Sequence, residues 1–378
     1  MKRILLFTDS LGAGGAQRQL VGLAVLLKQK GYDVQVAVYH DNPFYAGYLK
    51  DNNVPYQLIP NATSSVKRIP AITRYFKKQN PDWVIAYQES PSTFACLAKV
   101  LGGRFKLMVS ERSTTQSVTW REKVRFFLYR WADWIVPNCF AQERFLKEYS
   151  PKLSEKIKTI TNFVDLEKFH PVKHERRDVP VVMIAATIVK HKNVLNFIKA
   201  VSLLKDRCIR FCVKWYGVLE TISELNKSYY EQCLRLINGL KLSDEIELLP
   251  KSKDIAEKYQ LADYFCLPSF YEGTPNVICE ALASGLPVIC SDVCDNGIYV
   301  KEGENGFLFN PKDIESMANA LENVLGLSDE NYDSYCRHSR EMAEELLSEE
   351  KFIQKYIELI EQRYTREQLE EIFAKYSK

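Results

Sequence analysis

Two glutamates stand in one unusual stretch, Glu272 in a glycine-containing loop and Glu280 in the apolar sequence that follows. The stretch, residues 268–289, has the pattern of a strand end, a loop, a helix and a second strand. Pro275 suits the first turn of that helix, and Glu280 then projects from the second turn. Backbone N–H groups at a helix start bind anions or hydroxyls, and carboxylates accept hydrogen bonds from a vicinal diol. Two glutamates alone would suit a strand terminus and a solvated helix residue, but the whole stretch favours a ligand site.

The elements that must position these residues alternate between short apolar runs and segments of helical period. Strands are predicted in the first half at residues 4–7, 34–39, 83–87, 106–110 and 134–137. Strands are predicted in the second half at residues 181–186, 210–215, 245–249, 264–268, 288–290 and 306–309. Such alternation indicates parallel sheets covered by helices on both faces. The polar stretch 172–178 has no apolar period, so the sequence predicts two doubly wound α/β units joined by a linker.

Length, composition and charge agree with two soluble domains. The chain has 378 residues, of which 46% are hydrophobic and 26% charged, and its net charge is +3. A single core stops growing near roughly 250–300 residues, and a charge so near zero does not favour a nucleic-acid partner. The apolar run at residues 4–7 is far too short for a signal peptide, and no run approaches the roughly 20 apolar residues of a membrane span, so we expect neither. With ten cysteines and five histidines outside metal-site spacings, we expect a cytoplasmic protein with no metal.

The stretch with the two glutamates has the pattern P-S-x-x-E-G-x-P-N-V-x-x-E-A-x-A-x-G-x-P-V-I. It resembles the E-x(7)-E motif of retaining nucleotide-sugar glycosyltransferases of family 4 (glycosyl transferases group 1). Residues 11–17, 160–171 and 248–268 are also similar to segments of that family, so the resemblance covers nearly the whole chain. It implies the GT-B architecture, with two Rossmann-like domains facing a cleft. We place the N-terminal acceptor-side domain at 1–168, the nucleotide-sugar domain at 169–357, and at 358–378 a helix crossing back to the first domain.

The resemblance also implies a role for each matching residue. Glu280 would bind the ribose hydroxyls, Glu272 the hydroxyls of the transferred sugar, and Lys192 the diphosphate. A lysine there would neutralise the charge that develops on the leaving diphosphate, so neither a metal nor another cofactor is implied. The other residues assigned to the donor are Gly14, Gly15, Gly273, Thr274, Pro275, Asn276 and Val277.

The chain departs from the family pattern at two positions. The family usually has an arginine five residues before the lysine, and here that position is Thr187. Either Lys190, or Arg112 from the first domain, would then supply the missing cation, or the protein would be slow or inactive. Arg112 stands where many relatives carry a histidine near the donor sugar. We assign Arg112 a catalytic role, and the alternative is a surface cation that caps a strand.

The implied reaction is retaining transfer of a sugar from a nucleoside-diphosphate sugar to a hydroxyl of a glycan or lipid-linked acceptor. It would serve polysaccharide or glycoconjugate biosynthesis and proceed on the front face of the donor. A GT-B phosphorylase or epimerase is one alternative, and a non-catalytic sugar-nucleotide-binding partner subunit is another. A nicotinamide enzyme is disfavoured, because the loop at Gly12, Gly14 and Gln17 lacks the third glycine of the dinucleotide fingerprint.

A segment rich in basic and aromatic residues, 120–131, carries a further hypothesis. At helical spacing its apolar face comprises Val124, Phe127, Leu128 and Trp131, with Arg121, Lys123 and Arg125 nearby. Such a helix could contact an anionic membrane that carries a lipid-linked acceptor, at the inner face of the membrane. The alternative is a core-packed helix with solvated arginines. Further basic residues in the same domain are Lys67, Arg68, Arg74, Lys77 and Lys78.

Overall fold

The computed structural model describes residues 1–64, 67–172, 176–218, 224–252 and 254–361, without the side chains of residues 224 and 225. The chain forms two compact units, Met1–Asn162 with the chain from Glu349 onward, and Phe163–Ser348. The sequence-based boundaries at 168/169 and 357/358 lie later in the chain than these divisions. Beyond Glu361 the predicted C-terminal helix lies outside the described residues.

The first unit contains one sheet of six parallel strands with helices around it. Its strands are β1 (Arg3–Thr8), β2 (Asp33–Val38), β3 (Tyr56–Leu58), β4 (Trp83–Tyr87), β5 (Lys106–Glu111) and β6 (Trp134–Pro137). Its helices are α1 (Gly15–Gln29), α2 (Ala46–Asp51), α3 (Arg68–Gln79), α4 (Glu89–Val100), α5 (Trp120–Leu128), α6 (Phe140–Tyr149) and the last described helix of the chain, α14 (Glu349–Glu361). Short 3-10 turns lie at Tyr129–Trp131 and Pro151–Lys156. The strand order is β3-β2-β1-β4-β5-β6.

Burial explains which strands the sequence pattern revealed. Every residue of β4 is buried, because a central parallel strand is covered on both faces and therefore appears as a continuous apolar run. Strand β3 was not predicted; it is a three-residue strand at the sheet edge, and its Tyr56 is 41% exposed. Such a short, half-exposed strand produces no apolar run that could be recognised.

Helix α14 belongs to the first unit although it follows the second in the chain. Trp134 Nε1 donates a hydrogen bond to the Leu359 carbonyl at 3.2 Å. The hydroxyls of Tyr87 and Tyr356 lie 2.7 Å apart in a buried position. The side chains of Phe352, Tyr356, Leu359 and Ile360, which stand at helical spacing, are buried.

The second unit repeats the arrangement with another six parallel strands. Its strands are β7 (Val181–Ala185), β8 (Cys212–Val218), β9 (Ile246–Pro250), β10 (Tyr264–Leu267), β11 (Val288–Ser291) and β12 (Gly306–Phe309). Its helices are α7 (Val194–Asp206), α8 (Glu224–Gly239), α9 (Ile255–Gln260), α10 (Asn276–Ala283), α11 (Asn296–Tyr299), α12 (Ile314–Leu325) and α13 (Asp329–Leu346), with a 3-10 turn at Lys190–Lys192. The strand order is β12-β11-β10-β7-β8-β9.

Both sheets are doubly wound, which confirms the predicted fold class. The strand order reverses between β1 and β4 in the first unit and between β7 and β10 in the second. In such sheets ligands bind beyond the carboxyl ends of the strands at this reversal point. The reversal points therefore mark where a site is expected in each unit. Within the described ranges, no helix has the length and apolarity that crossing a membrane requires.

Candidate active site

The reversal point of the second unit brings Lys192 and Glu272 together. Lys192 ends the 3-10 turn that follows β7, and Glu272 lies in the loop after β10. Lys192 Nζ donates to Glu272 Oε1 at 2.5 Å, and the two side chains are 17% and 13% exposed. The amide of Phe270 donates to the carbonyl of His191 at 2.9 Å, which joins the two loops. Two of the predicted catalytic residues therefore form an ion pair where the fold predicts a ligand site.

The neighbouring His191 adds little positive charge to this ion pair at neutral pH. Its ring stacks on Tyr271, with the ring centroids 5.2 Å apart. Burial and then the charge of Lys192 lower the pKa of His191, while Glu272 acts in the opposite direction. The imidazole of His191 is therefore neutral at pH 7, and Lys192 supplies the positive charge of the ion pair with Glu272.

Helix α10 carries the second glutamate in a buried position. Glu280 is 3% exposed, and the Tyr259 hydroxyl donates to its Oε2 at 3.0 Å. This burial contradicts the alternative that Glu280 is a solvated helix residue. The helix begins at Asn276, so Pro275 is the residue that precedes the first turn rather than part of it. The assignment of Glu280 to the ribose stays a prediction.

The other residues assigned to the donor divide between the units. Five of them form the loop after Glu272 and the start of α10, namely Gly273, Thr274, Pro275, Asn276 and Val277. Gly14 and Gly15 lie in the first unit, where Gly14 precedes α1 and Gly15 is its first residue. A Cβ atom on Gly14 would overlap Gln17 Oε1, so any larger residue here would require the Gln17 side chain to move.

The reversal point of the first unit holds a pocket that the sequence analysis did not predict. Its volume is about 310 Å³, and its lining residues are Asp9, Ala16, Tyr39, Gln88, Glu89, Ser90, Pro91, Arg112 and Ser113. Asp9 directly follows β1, and Gln88 directly follows β4. Polar residues after two buried central strands were the available signal, but sequence alone did not show that these strands are neighbours.

Arg112 lies in the wall of this pocket, and several side chains fix its guanidinium. Its Nη1 donates to Ser110 Oγ at 3.3 Å, and its Nη2 donates to Asn162 Oδ1. The guanidinium carbon is 4.7 Å from the centroid of the Tyr87 ring, a cation–π contact. Arg112 is thus a half-buried pocket residue instead of a surface cation. Its catalytic role stays a prediction.

Comparison with known proteins identifies the family. Residues 165–345 match the family described as glycosyl transferases group 1, and residues 13–168 match Glycosyltransferase Family 4. The solved structure of Anabaena HepE in complex with UDP and glucose shares the fold, with a TM-score of 0.83 and 17% identity over 96% of this chain and 100% of that one. The chain is a GT-B glycosyltransferase.

Two relatives of this glycosyltransferase act on lipid-linked sugars according to their names. The UDP-Gal:alpha-D-GlcNAc-diphosphoundecaprenol alpha-1,3-galactosyltransferase of Escherichia coli is 25% identical over 82% of this chain and 84% of its own length. The N-acetylgalactosamine-N,N'-diacetylbacillosaminyl-diphospho-undecaprenol 4-alpha-N-acetylgalactosaminyltransferase of Campylobacter jejuni is 24% identical over 86% of this chain and 90% of its own length.

The structure corrects the membrane hypothesis at Arg125. This residue of α5 is buried, and its guanidinium Nε lies 3.2 Å from Oε1 of Glu111, which is fully buried. Its Nη1 lies 3.3 Å from Glu89 and 3.6 Å from Glu122. The Tyr129 hydroxyl also donates to Glu111. Arg125 therefore belongs to an internal ion-pair cluster and cannot contact a lipid surface.

The exposed face of α5 differs from the face expected from the sequence. Thr119 caps the helix, since its Oγ1 accepts from the Arg121 amide at 3.3 Å. Leu128 is buried and Trp131 half-buried. Apolar exposure is instead found at Trp120 (69%), Val124 (46%) and Phe127 (52%). Positions separated by four and then three residues share one side of a helix, so these three side chains form an exposed apolar stripe.

Proposed function

We propose that this glycosyltransferase moves a sugar, with retention of configuration, from a uridine-diphosphate sugar to a hydroxyl of a saccharide linked through diphosphate to a polyprenol. It would act in polysaccharide or glycoconjugate biosynthesis. The observation that carries the proposal is the ion pair of Lys192 and Glu272 at the reversal point of the second unit. The E. coli relative, whose name specifies a UDP-sugar donor and a diphosphoundecaprenol acceptor, supports both substrate classes.

In the proposed reaction, the donor separates the two charges that pair in its absence. Lys192 turns to the diphosphate, and Glu272 accepts hydrogen bonds from hydroxyls of the sugar to be transferred. As the bond between the anomeric carbon and the phosphate oxygen breaks, negative charge grows on that oxygen, and Lys192 stabilises it. The acceptor hydroxyl attacks from the same face of the sugar, and its proton passes to the departing phosphate oxygen. No metal takes part in the proposed step.

A panel of uridine, guanosine and adenosine diphosphates and their sugars tests this function. A ligand at 100 times its dissociation constant stabilises the folded protein by about 2.7 kcal/mol, so a thermal-shift screen detects the preferred nucleotide. Hydrolysis and transfer are then measured with the selected sugar nucleotide.

Thr187, in place of the usual arginine, favours a non-catalytic binding subunit as the second candidate. Saturable binding without hydrolysis or transfer would establish that candidate.

The two glutamates are expected to respond differently to substitution. Glu280→Ala should weaken binding of uridine diphosphate by about tenfold, because it removes a buried acceptor for the ribose hydroxyls. Glu272→Ala should instead lower turnover and leave uridine-diphosphate affinity nearly unchanged, since free nucleotide lacks the sugar. Calorimetric titration and steady-state kinetics measure the two effects. Equal loss of nucleotide affinity in both variants would disprove the separate roles.

We also propose that the apolar stripe of α5 contacts an anionic membrane surface, where a lipid-linked acceptor resides. Arg121, Lys123 and Arg130 are exposed around the stripe. The Arg130 guanidinium carbon lies 3.5 Å from the centroid of the Phe127 ring. Apolar side chains beside basic ones suit the boundary between lipid headgroups and acyl chains.

Vesicle binding should depend on both kinds of side chain. We expect the protein to co-sediment with vesicles that contain anionic lipid and to dissociate as salt rises, because each basic residue contributes on the order of 1 kcal/mol. Trp120→Ser with Phe127→Ser should abolish co-sedimentation, as should Arg121→Glu with Lys123→Glu, while donor hydrolysis in solution stays intact. Lys199→Glu, an exposed site on α7, serves as the charge-reversal control. Failure of the unmodified protein to bind at low salt would refute membrane contact.

A further inference from the structure

Two polar groups in the first-unit pocket have unused hydrogen-bonding capacity. Asp9 Oδ1 accepts from the Ser10 amide at 2.6 Å and from Gln17 Nε2 at 2.9 Å, whereas no described residue donates to its Oδ2. Gln88 Oε1 accepts from Thr8 Oγ1 at 3.0 Å, whereas its Nε2 has no acceptor among the described residues. A hydroxyl group both donates and accepts, so this carboxylate oxygen and this amide suit neighbouring hydroxyls.

The backbone of Gln88 is held in a conformation that is nearly restricted to glycine. Its φ is 78° and its ψ is 169°. Its amide donates to the Ser110 carbonyl at 3.0 Å, and its carbonyl accepts from the Ser92 amide at 3.1 Å. These bonds and the one from Thr8 fix both backbone and side chain between β4 and α4. Strained residues of this kind cluster at ligand sites, where the surrounding structure maintains the unfavourable backbone.

The pocket suits a neutral sugar ring better than a phosphate. The carboxylates of Asp9 and Glu89 line it and would repel an anion. The guanidinium of Arg112 already donates to Ser110 and Asn162. A volume of about 310 Å³ is at the lower end of the roughly 300–1,000 Å³ of small-molecule sites, so a single ring suits it better than an extended chain.

We infer that Gln88 is a specificity-determining residue, and that with Asp9 it binds neighbouring ring hydroxyls of the acceptor's terminal sugar. The inference rests on the proposed function, because it places the acceptor of that reaction in this pocket. Asp9 accepts from one hydroxyl through Oδ2, and Gln88 donates to the next through Nε2. The strained backbone keeps the Gln88 amide in position before the acceptor arrives, so less freedom is lost on binding.

Saturation-transfer NMR with methyl glycosides of glucose, galactose, N-acetylglucosamine and N-acetylgalactosamine tests this inference. The unmodified protein should bind at least one of them, and Gln88→Ala and Gln88→Gly should each bind it about tenfold or more weakly. Gln88→Gly should also melt about 3 °C or more above Gln88→Ala, because glycine relieves the strain. Asn80→Gly is the matched control, since Asn80 has a φ of 46° at the end of α3, outside the pocket. It should bind the glycoside as the unmodified protein does.

Three results would overturn the inference: no glycoside bound by the unmodified protein, full binding by Gln88→Ala, or binding losses that simply follow the melting temperatures. A residue that only supports the fold would produce the last result, with Gln88→Gly binding better than Gln88→Ala. Uridine-diphosphate binding and donor hydrolysis are measured on the same samples. If both persist while the glycoside result fails, the assignment of Gln88 is wrong and the proposed function stands. If both are absent from the unmodified protein, the proposed function fails, and the glycoside titrations still decide whether Gln88 binds a sugar.

Discussion

Lys192→Ala is expected to lower turnover by about 100-fold or more. Removal of one preorganised charge donor from a site of developing negative charge has this effect in other enzymes. Lys192 is the positively charged member of the ion pair at the reversal point of the second unit. Burial and the charge of Lys192 lower the pKa of His191, so this imidazole adds little positive charge there. Steady-state kinetics with the preferred sugar nucleotide measure the loss.

Two comparisons make the Lys192 experiment specific. Lys199→Ala removes an exposed lysine from the following helix and should leave turnover unchanged. Lys192→Arg keeps the charge and should retain more activity than alanine, although a guanidinium has a different shape. Activity of the unmodified protein should persist in a chelator. Complete inactivation by EDTA with recovery on adding magnesium or manganese would contradict the metal-free mechanism.

Arg125→Met should destabilise the protein by about 3–5 kcal/mol at neutral pH, because it leaves the buried Glu111 carboxylate without its guanidinium partner. For a unit of this size we expect a fall of roughly 10 °C in the melting temperature. Thermal and urea unfolding measure it. Arg121→Met, an exposed arginine on the same helix, should change stability by no more than about 0.5 kcal/mol.

The loss of stability caused by Arg125→Met should grow as the pH rises. Burial raises the pKa of Glu111, and the charge of Arg125 and the hydroxyl of Tyr129 partly oppose that rise. Without Arg125 the folded-state pKa rises further, so the folded protein binds a proton that the unfolded chain has lost above about pH 4.3. The free energy of unfolding of the variant then falls as the pH rises from about 4.3 to the folded-state pKa of Glu111. Adding Glu111→Gln to Arg125→Met should remove the pH dependence and restore much of the stability. If Arg125→Met and Arg121→Met melt at the same temperature, the ion-pair cluster of Arg125 and Glu111 contributes nothing to stability.

The sequence alone determined the strands that lie in the middle of each sheet. Central parallel strands such as β4 and β10 are buried on both faces, so their apolar runs are visible without any neighbour. It also determined the loop and helix that carry Glu272 and Glu280, because glycine, proline and the apolar period specify that local conformation. Most of the fold class follows from these local patterns.

Only the tertiary structure decided which distant residues meet. Lys192 and Glu272 are 80 positions apart, and they form an ion pair because β7 and β10 are adjacent strands. Asp9 and Gln88 share a pocket because β1 pairs with β4. Arg125 has the local sequence of a surface residue, yet it is buried because Glu111 ends a neighbouring strand. Helical period orders residues around one helix, but the charge that a buried side chain meets depends on strand order, which is a long-range property of the chain.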